Sequence, residues 1–357
     1  MSSDDHPKLP QDVVVEILKL LPVESLLRFR CVCRSWRSTI DDPSFVSLHL
    51  NSSSLGASNW HTVCLDWSDP VQKLCSVFSD ESLTLPPQSQ IEIPFGSSYQ
   101  IVGSCNGLIC VAEFNEMRSG RTIHLWNLFT RKHKAVLLPG LDHQWIDIGF
   151  GFDARSNDYK IVKFPLDRPC SRVEIYSLST DSWRCLECEV PPVADMDPAV
   201  FFNGNLHWFF LKFDNVPMER IDGSIVLFDV AGEVFDEMAL PEEFLARNIL
   251  GYFAVLNGLL ALFISRIEGY VYLNLYSVCS VWVMREYGVP ESWTKLYNFE
   301  ARTIVREICG FARNGELLMV TGGDERVSWN QVTRQFEDLH LSTKCDMVAV
   351  VESLVSL

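Results

Sequence analysis

The sequence lacks the short motifs that mark common catalytic sites. It contains no His-Glu-x-x-His, no Gly-x-Ser-x-Gly, no Walker loop and no Gly-x-Gly-x-x-Gly. Its single Cys-x-x-Cys is Cys185/Cys188, and the next histidine, His207, stands alone far downstream. A structural zinc site needs four ligands, usually from two such pairs. The pair therefore reads as plain thiols, and no metal or cofactor is expected. Secretory features are also missing: Met1 to His6 is polar and acidic, with no basic start leading into an apolar core. In that setting the 12 cysteines read as reduced, mostly buried small hydrophobes of the cytosol or nucleus. The uncharged run 248–265 approaches membrane-spanning length. Asn257-Gly258 interrupts it at the centre, which predicts a hairpin of buried strands instead. No membrane partner is expected.

Basic charge is scarce, and unevenly so. The formal net charge is −16 over 357 residues. Residues 8–50 hold six Lys/Arg against five Asp/Glu, leaving 24 against 41 elsewhere. A large region this acidic would repel nucleic acid phosphates. It would speed encounter with basic protein surfaces, or serve solubility alone.

Hydrophobic residues make up 47% of the chain and aromatics 11%, so a sizeable core is available. The length suits a small module and a large one. Residues 9–50 carry helical spacing. Val14, Ile17, Leu18 and Leu21 share one face, and Pro22 ends the helix. A second helix is expected over 24–27, and a third carries Phe29, Val32, Cys33, Trp36 and Ile40. One further turn follows at Ser44-Phe45. Such a module is either a cap on the large region or a docking unit whose surplus apolar face, including Leu9, Pro10, Leu26 and Leu27, binds a partner.

The run from Leu9-Pro10-x-Asp12-Val13 through Glu16-Ile17-Leu18-x-x-Leu21-Pro22 to Arg34-Ser35-Trp36 resembles an F-box. That resemblance implies docking to the Skp-type adaptor of a ubiquitin ligase and, through it, to a cullin. It implies contacts from Leu9, Pro10, Val14, Ile17, Leu18, Leu21, Pro22, Leu26 and Leu27, with Val32, Cys33 and Trp36 in the same module. Some of these must hold the module together instead, and the sequence does not divide the two groups.

A polar stretch, 51–58, reads as a linker, which sets the expected boundaries at 1–50, 51–60 and 61–357. Beyond it come short β-type runs separated by Gly, Asn, Asp and Pro. They repeat. Asn106-Gly107, Asn157-Asp158, Asn203-Gly204, Asn257-Gly258 and Asn314-Gly315 are 46–57 residues apart. An aromatic followed by a small polar residue recurs in phase: Trp126-Asn127, Tyr176-Ser177, Phe228-Asp229, Tyr276-Ser277 and Trp329-Asn330. A second aromatic follows six or seven positions later at Trp183, Phe235, Trp282 and Phe336, with His133 in the first copy. Repeats near 50 residues predict propeller blades of four strands, with each aromatic pair bracketing a hairpin turn. The expected fold is a small all-α F-box followed by an all-β domain, a degenerate kelch-like β-propeller of about six blades. The alternative is a pair of β-sandwiches. A faint blade near residues 63–85 would be closed by a strand within 347–357.

Gly103-Ser-Cys-Asn-Gly-Leu-Ile-Cys110, Trp126-Asn-Leu-Phe-Thr-Arg131, Gly149-Phe-Gly-Phe-Asp153 and Tyr176-Ser-Leu-Ser-Thr-Asp-Ser-Trp183 resemble the F-box-associated domain of plant F-box proteins. The resemblance implies a non-catalytic substrate receptor of an SCF-type ubiquitin ligase. Its β-domain would capture a protein, here one with a basic surface, on the loops 166–171, 195–197 and 212–222. Two other classes stay open: an F-box scaffold that binds without directing degradation, and a catalytic or sugar-binding propeller.

Overall fold

The computed structural model describes residues 9–56, 59–67, 74–79, 83, 86–96, 99–114, 120–139, 146–165, 172–190, 199–212, 222–241, 249–270, 273–301, 303–312 and 314–357. Four helices lead: α1 (Gln11–Leu18), α2 (Val23–Phe29), α3 (Arg34–Ile40) and α4 (Pro43–Leu55). Prolines punctuate them. Pro10 and Pro22 precede the first turns of α1 and α2, and Pro43 opens α4, where a missing N–H costs nothing. Asp42 caps α4 by accepting from the Ser44 hydroxyl at 2.5 Å and from Ser44 N–H at 2.8 Å, which together hold its carboxyl below the ordinary range.

The third helix begins later than the sequence suggested. Phe29 closes α2, Val32 lies in the turn, and Cys33 caps α3, its Sγ accepting from Trp36 N–H. The polar run expected as a linker is helical as far as Leu55. Ser54 Oγ bonds back to the Leu50 carbonyl one turn earlier at 2.8 Å, so its hydroxyl is satisfied within the helix.

Among the described residues, twenty-four strands follow, in six antiparallel sheets of four. Blade I consists of β24 (Cys345–Val351), β1 (Trp60–Asp66), β2 (Leu74–Phe78) and β3 (Ser89–Glu92), in order from the inside out. Blade II runs β4 (Tyr99–Cys105), β5 (Leu108–Phe114), β6 (Gly120–Asn127), β7 (Lys132–Leu137). Blade III runs β8 (Ile146–Asp153), β9 (Asp158–Pro165), β10 (Arg172–Ser177), β11 (Ser182–Glu187). Blade IV runs β12 (Val200–Phe202), β13 (Asn205–Lys212), β14 (Asp222–Asp229), β15 (Val234–Ala239). Blade V runs β16 (Ile249–Leu256), β17 (Leu259–Tyr270), β18 (Leu273–Met284), β19 (Trp293–Ala301). Blade VI runs β20 (Val305–Phe311), β21 (Leu317–Thr321), β22 (Arg326–Trp329), β23 (Phe336–Asp338). Each first strand neighbours those of the adjacent blades, and the ring closes between β20, β24 and β4. The propeller thus has six blades, and its closing strand is 345–351.

Both repeated landmarks have physical explanations. Asn106-Gly107, Asn203-Gly204 and Asn257-Gly258 each join the first and second strands of a blade, with φ near +50° on the asparagine and +72° to +83° on the glycine. Two left-handed residues in a two-residue loop match the twist of the paired strands. The run 248–265 is accordingly a hairpin. The aromatic and its following polar residue end the third strand. Trp126 faces His133, Tyr176 faces Trp183, Phe228 faces Phe235 and Trp329 faces Phe336. The polar residue caps the turn between them. Asn127 Oδ1 accepts from Phe129 and Thr130 N–H, and Asn330 Oδ1 from Val332 and Thr333 N–H.

Blade V departs. Tyr276 and Trp282 lie on one strand, β18, whose turn comes at 285–292. Ser277 Oγ accepts from Val305 N–H in the next blade instead of capping a turn. Trp282 is therefore not equivalent to Trp183, Phe235 and Phe336. Lys295 Nζ sits 4.8 Å over its ring.

The helices sit against one face of the ring. On that face Gly107 packs against the segment after β24: a Cβ there would lie 2.2 Å from Ser353 Cβ, whereas one on Gly204 would meet open space. Both glycines have φ near +80°, so alanine at either pays about 1–2 kcal/mol in backbone strain. Gly107→Ala should lose a further ~1–3 kcal/mol through overpacking. In thermal melts, Gly107→Ala is expected to lower Tm at least twice as far as Gly204→Ala. Equal shifts would refute the tight packing of Ser353 on this turn.

Candidate functional site

Helix α1 carries two apolar stripes. The inner one builds a core: Leu18, Val23, Leu26, Ile40 and Phe45 are buried together, with Val14, Leu21, Leu27, Phe29 and Trp36 partly buried against them. The outer stripe is open. Val13 and Ile17 on α1, Leu9 just before it and Leu20 in the turn after it are each 42–72% exposed. Val32, in the turn before α3, is 61% exposed. Large apolar side chains grouped on a polar module mark an interaction surface.

The residues expected to touch the adaptor divide accordingly. Leu9, Pro10, Ile17, Pro22, Val32 and Cys33 are exposed. Val14, Leu21, Leu27 and Trp36 are half-buried and face the core. Leu18 and Leu26 are sealed inside and offer no surface; their place is in the core, where the α1 and α2 faces meet. Val13 and Leu20, not among the expected contacts, join this open stripe, four positions after Leu9 and three after Ile17.

The propeller has two unlike faces. Turns joining first to second and third to fourth strands lie on the face that meets the helices: Asn127 and Phe129, in one such turn, touch the segment after β24 and the helical core. Strand direction then places the ends of the second and fourth strands on the far face. The segments 166–171, 195–197 and 212–222 lie outside the described residues, except for the strand ends at Lys212 and Asp222. The flanking strand ends, Pro165 and Arg172 among them, point to that far face. It also carries Glu189, Asp324 and Glu325.

Residues 71–333 match the family of the F-box associated beta propeller domain, and residues 7–48 match the F-box domain. The chain belongs to the F-box-associated β-propeller family. Its relatives include F-box protein At3g07870 of Arabidopsis thaliana, 27% identical over 93% of this chain and 87% of that protein. F-box/kelch-repeat protein At3g23880 of the same plant is 28% identical, over 83% and 80% of the two chains. F-box protein CPR1 is 26% identical, over 82% and 73%. The fold and the F-box expected from the sequence are those of this family, whose members are adaptor proteins.

Cys185 is exposed on β11, with Arg172 Nε donating to its Sγ at 2.8 Å, and Cys188 is half-buried. Among the described residues no group of three or more metal-ligating side chains converges. Where blade I meets its neighbours, Asp346 accepts from Ile101 N–H at 2.8 Å. Burial, with Glu307 nearby, pushes its carboxyl up to about 6 from 3.8. Between those values the folded chain holds a proton that the unfolded chain lacks, so stability falls as pH rises through the window. Asp346→Asn keeps an acceptor for Ile101 and removes the charge. It should be more stable than the parent at pH 7.5, by roughly 2–3 kcal/mol at most, with the gap closing toward pH 4. Denaturant melts at both pH values decide this: a variant less stable at pH 7.5 would contradict the assignment.

Proposed function

We propose that this F-box protein is the substrate-recognition subunit of an SCF-type ubiquitin ligase. Its F-box docks on a Skp-type adaptor and through it on a cullin, and the far face of its propeller captures a protein for ubiquitination. The observation that carries the reading is the exposed group Leu9, Val13, Ile17, Leu20, left outside the packed core of the F-box. Burial of these side chains supplies affinity, and their helical phase supplies register. Such a subunit needs no nucleophile, since holding the substrate near a ubiquitin-loaded enzyme raises its effective concentration. We place it in the cytosol or nucleus, where the adaptor and cullin would act.

Ile17→Asp with Leu20→Asp removes two exposed anchors. Each is worth ~1.5–3 kcal/mol when covered, so adaptor affinity should fall at least ~100-fold. The melting temperature should hold, since neither residue is in the core. Leu9→Ala with Pro10→Ala should weaken capture to a smaller degree. Undiminished pull-down of the adaptor by the Asp pair would overturn the docking assignment.

The acid on the propeller supports a basic substrate surface. Arg306 pairs with Asp324, but Glu189 and Glu325 add charge to the same face. The association rate for a captured protein should fall as salt rises from 0.1 M to 1 M, where the Debye length shrinks from ~10 Å to ~3 Å. A rate independent of salt would rule out steering and leave apolar loop contacts as the source of recognition.

A further inference from the structure

We propose that residues 352–357 are a strap that fixes the F-box to the propeller, with Glu352 and Leu354 as the positioning residues that hold the two as one body. The segment leaves β24, the innermost strand of blade I, and is gripped from both sides.

On the F-box side, Glu352 Oε2 accepts from Val23 N–H at 2.9 Å, at the first residue of α2. The first N–H groups of a helix have no partner within it, and Pro22 before this helix supplies no side-chain cap. A residue 329 positions away therefore caps it. Two positions on, Leu354 is 8% exposed and packs inside the F-box core with Leu18, Val23, Leu26, Ile40 and Phe45. The F-box completes its core with a leucine that belongs to the propeller's closing segment. About 40 residues of short helices make a thin core alone, so this borrowed side chain matters.

On the propeller side, Glu352 N–H donates to Asn59 O at 2.9 Å, and Glu352 Oε1 lies 3.3 Å from His61 Nε2 on β1. Burial works to raise the Glu352 carboxyl. The bonds from His61 and Val23 outweigh it and hold the group below the ordinary glutamate range. Asn127 Nδ2 donates to both Ser353 O and Val355 O at 2.9 Å, and Lys132 Nζ donates to Ser356 Oγ at 2.7 Å. Val355 and Leu357 pack on the core of blades II and III. Asn127 thus has two tasks: its Oδ1 caps its own turn while its amide clamps the strap.

Alternate residues of one short segment thus serve different bodies. Glu352 and Leu354 reach into the F-box, while Ser353, Val355 and Ser356 are held by the propeller. The arrangement removes hinge freedom that the connection 56–59 alone would leave. If the chain is a receptor as proposed above, the far face then stands at a fixed distance from the adaptor, which is what a positioning device for ubiquitin transfer requires.

The test uses the free full-length chain, so a failure of the receptor reading leaves its result untouched. Fluorophores at Arg37 on the F-box and Val234 on blade IV report the spread of their separation by single-molecule energy transfer. The parent should give one narrow distribution. Glu352→Ala with Leu354→Ala should widen it at least twofold while the propeller's melting temperature stays within a few degrees. If the double variant loses its F-box fold, Glu352→Ala alone is read by hydrogen exchange: amides of 23–29 should exchange at least tenfold faster while β9 and β10 are unchanged. A distribution as narrow as the parent's, or exchange in α2 that does not change, would overturn the strap.

Discussion

One antiparallel pairing closes this molecule. Strand β24 lies against β1 from Val351↔Trp60 to Cys345↔Asp66, bringing together segments nearly 300 positions apart. Every other blade is built from consecutive strands and closes locally. Blade I alone depends on the two ends of the propeller segment meeting, and the ring of inner strands stays open until they do. The pairing is reinforced where it could peel. Arg326, 1% exposed on β22 of blade VI, donates to Ser342 O at 3.1 Å and Cys345 O at 2.7 Å. It also reaches Cys309 Sγ. A buried guanidinium needs its donors occupied, and here the acceptors are largely the carbonyls leading into β24. Cys64 and Cys345 lie in contact across the same pairing, at 2.8 Å. Blade VI is thereby tied to the closing strand through backbone, not through side chains alone.

The same closure determines where the F-box goes. The chain enters blade I at Trp60 and leaves it at Val351, and these residues are paired. The F-box before Trp60 and the segment after Val351 must therefore emerge side by side on one face. Glu352 and Leu354 exploit that adjacency. An exposed apolar stripe on the F-box, with a rigid ring behind it, is the layout that the proposed receptor role requires.

Much of this was readable because the relevant physics is local. Asn-Gly at two-residue turns follows from left-handed backbone, and an aromatic followed by Asn, Ser or Asp follows from a cross-strand ring pair and a side-chain turn cap. Asn106, Asn203 and Asn257 obey the first rule, and the pairs at Trp126, Tyr176, Phe228 and Trp329 obey the second. Tyr276-Ser277 satisfies the pattern in letters only, because Ser277 bonds across to Val305 in the next blade; single-sequence spacing does not separate a turn cap from an inter-blade contact. The F-box was legible as a motif, but its inner and outer stripes were not. Leu18 and Ile17 are adjacent and equally apolar, and only packing tells that one is sealed and the other open. Glu352 looked like one acid among many, since its partner Val23 lies at the opposite end of the sequence.

Native-state hydrogen exchange of β24 and β1 tests the dependence on closure most directly. If closure holds the ring, amides from 345 to 351 and from 60 to 66 exchange only through global unfolding, with the same opening free energy as the central strands of blades III and IV. Exchange of β24 at a markedly lower free energy, with the other blades still protected, would show that the ring persists without its closing strand and would contradict the account.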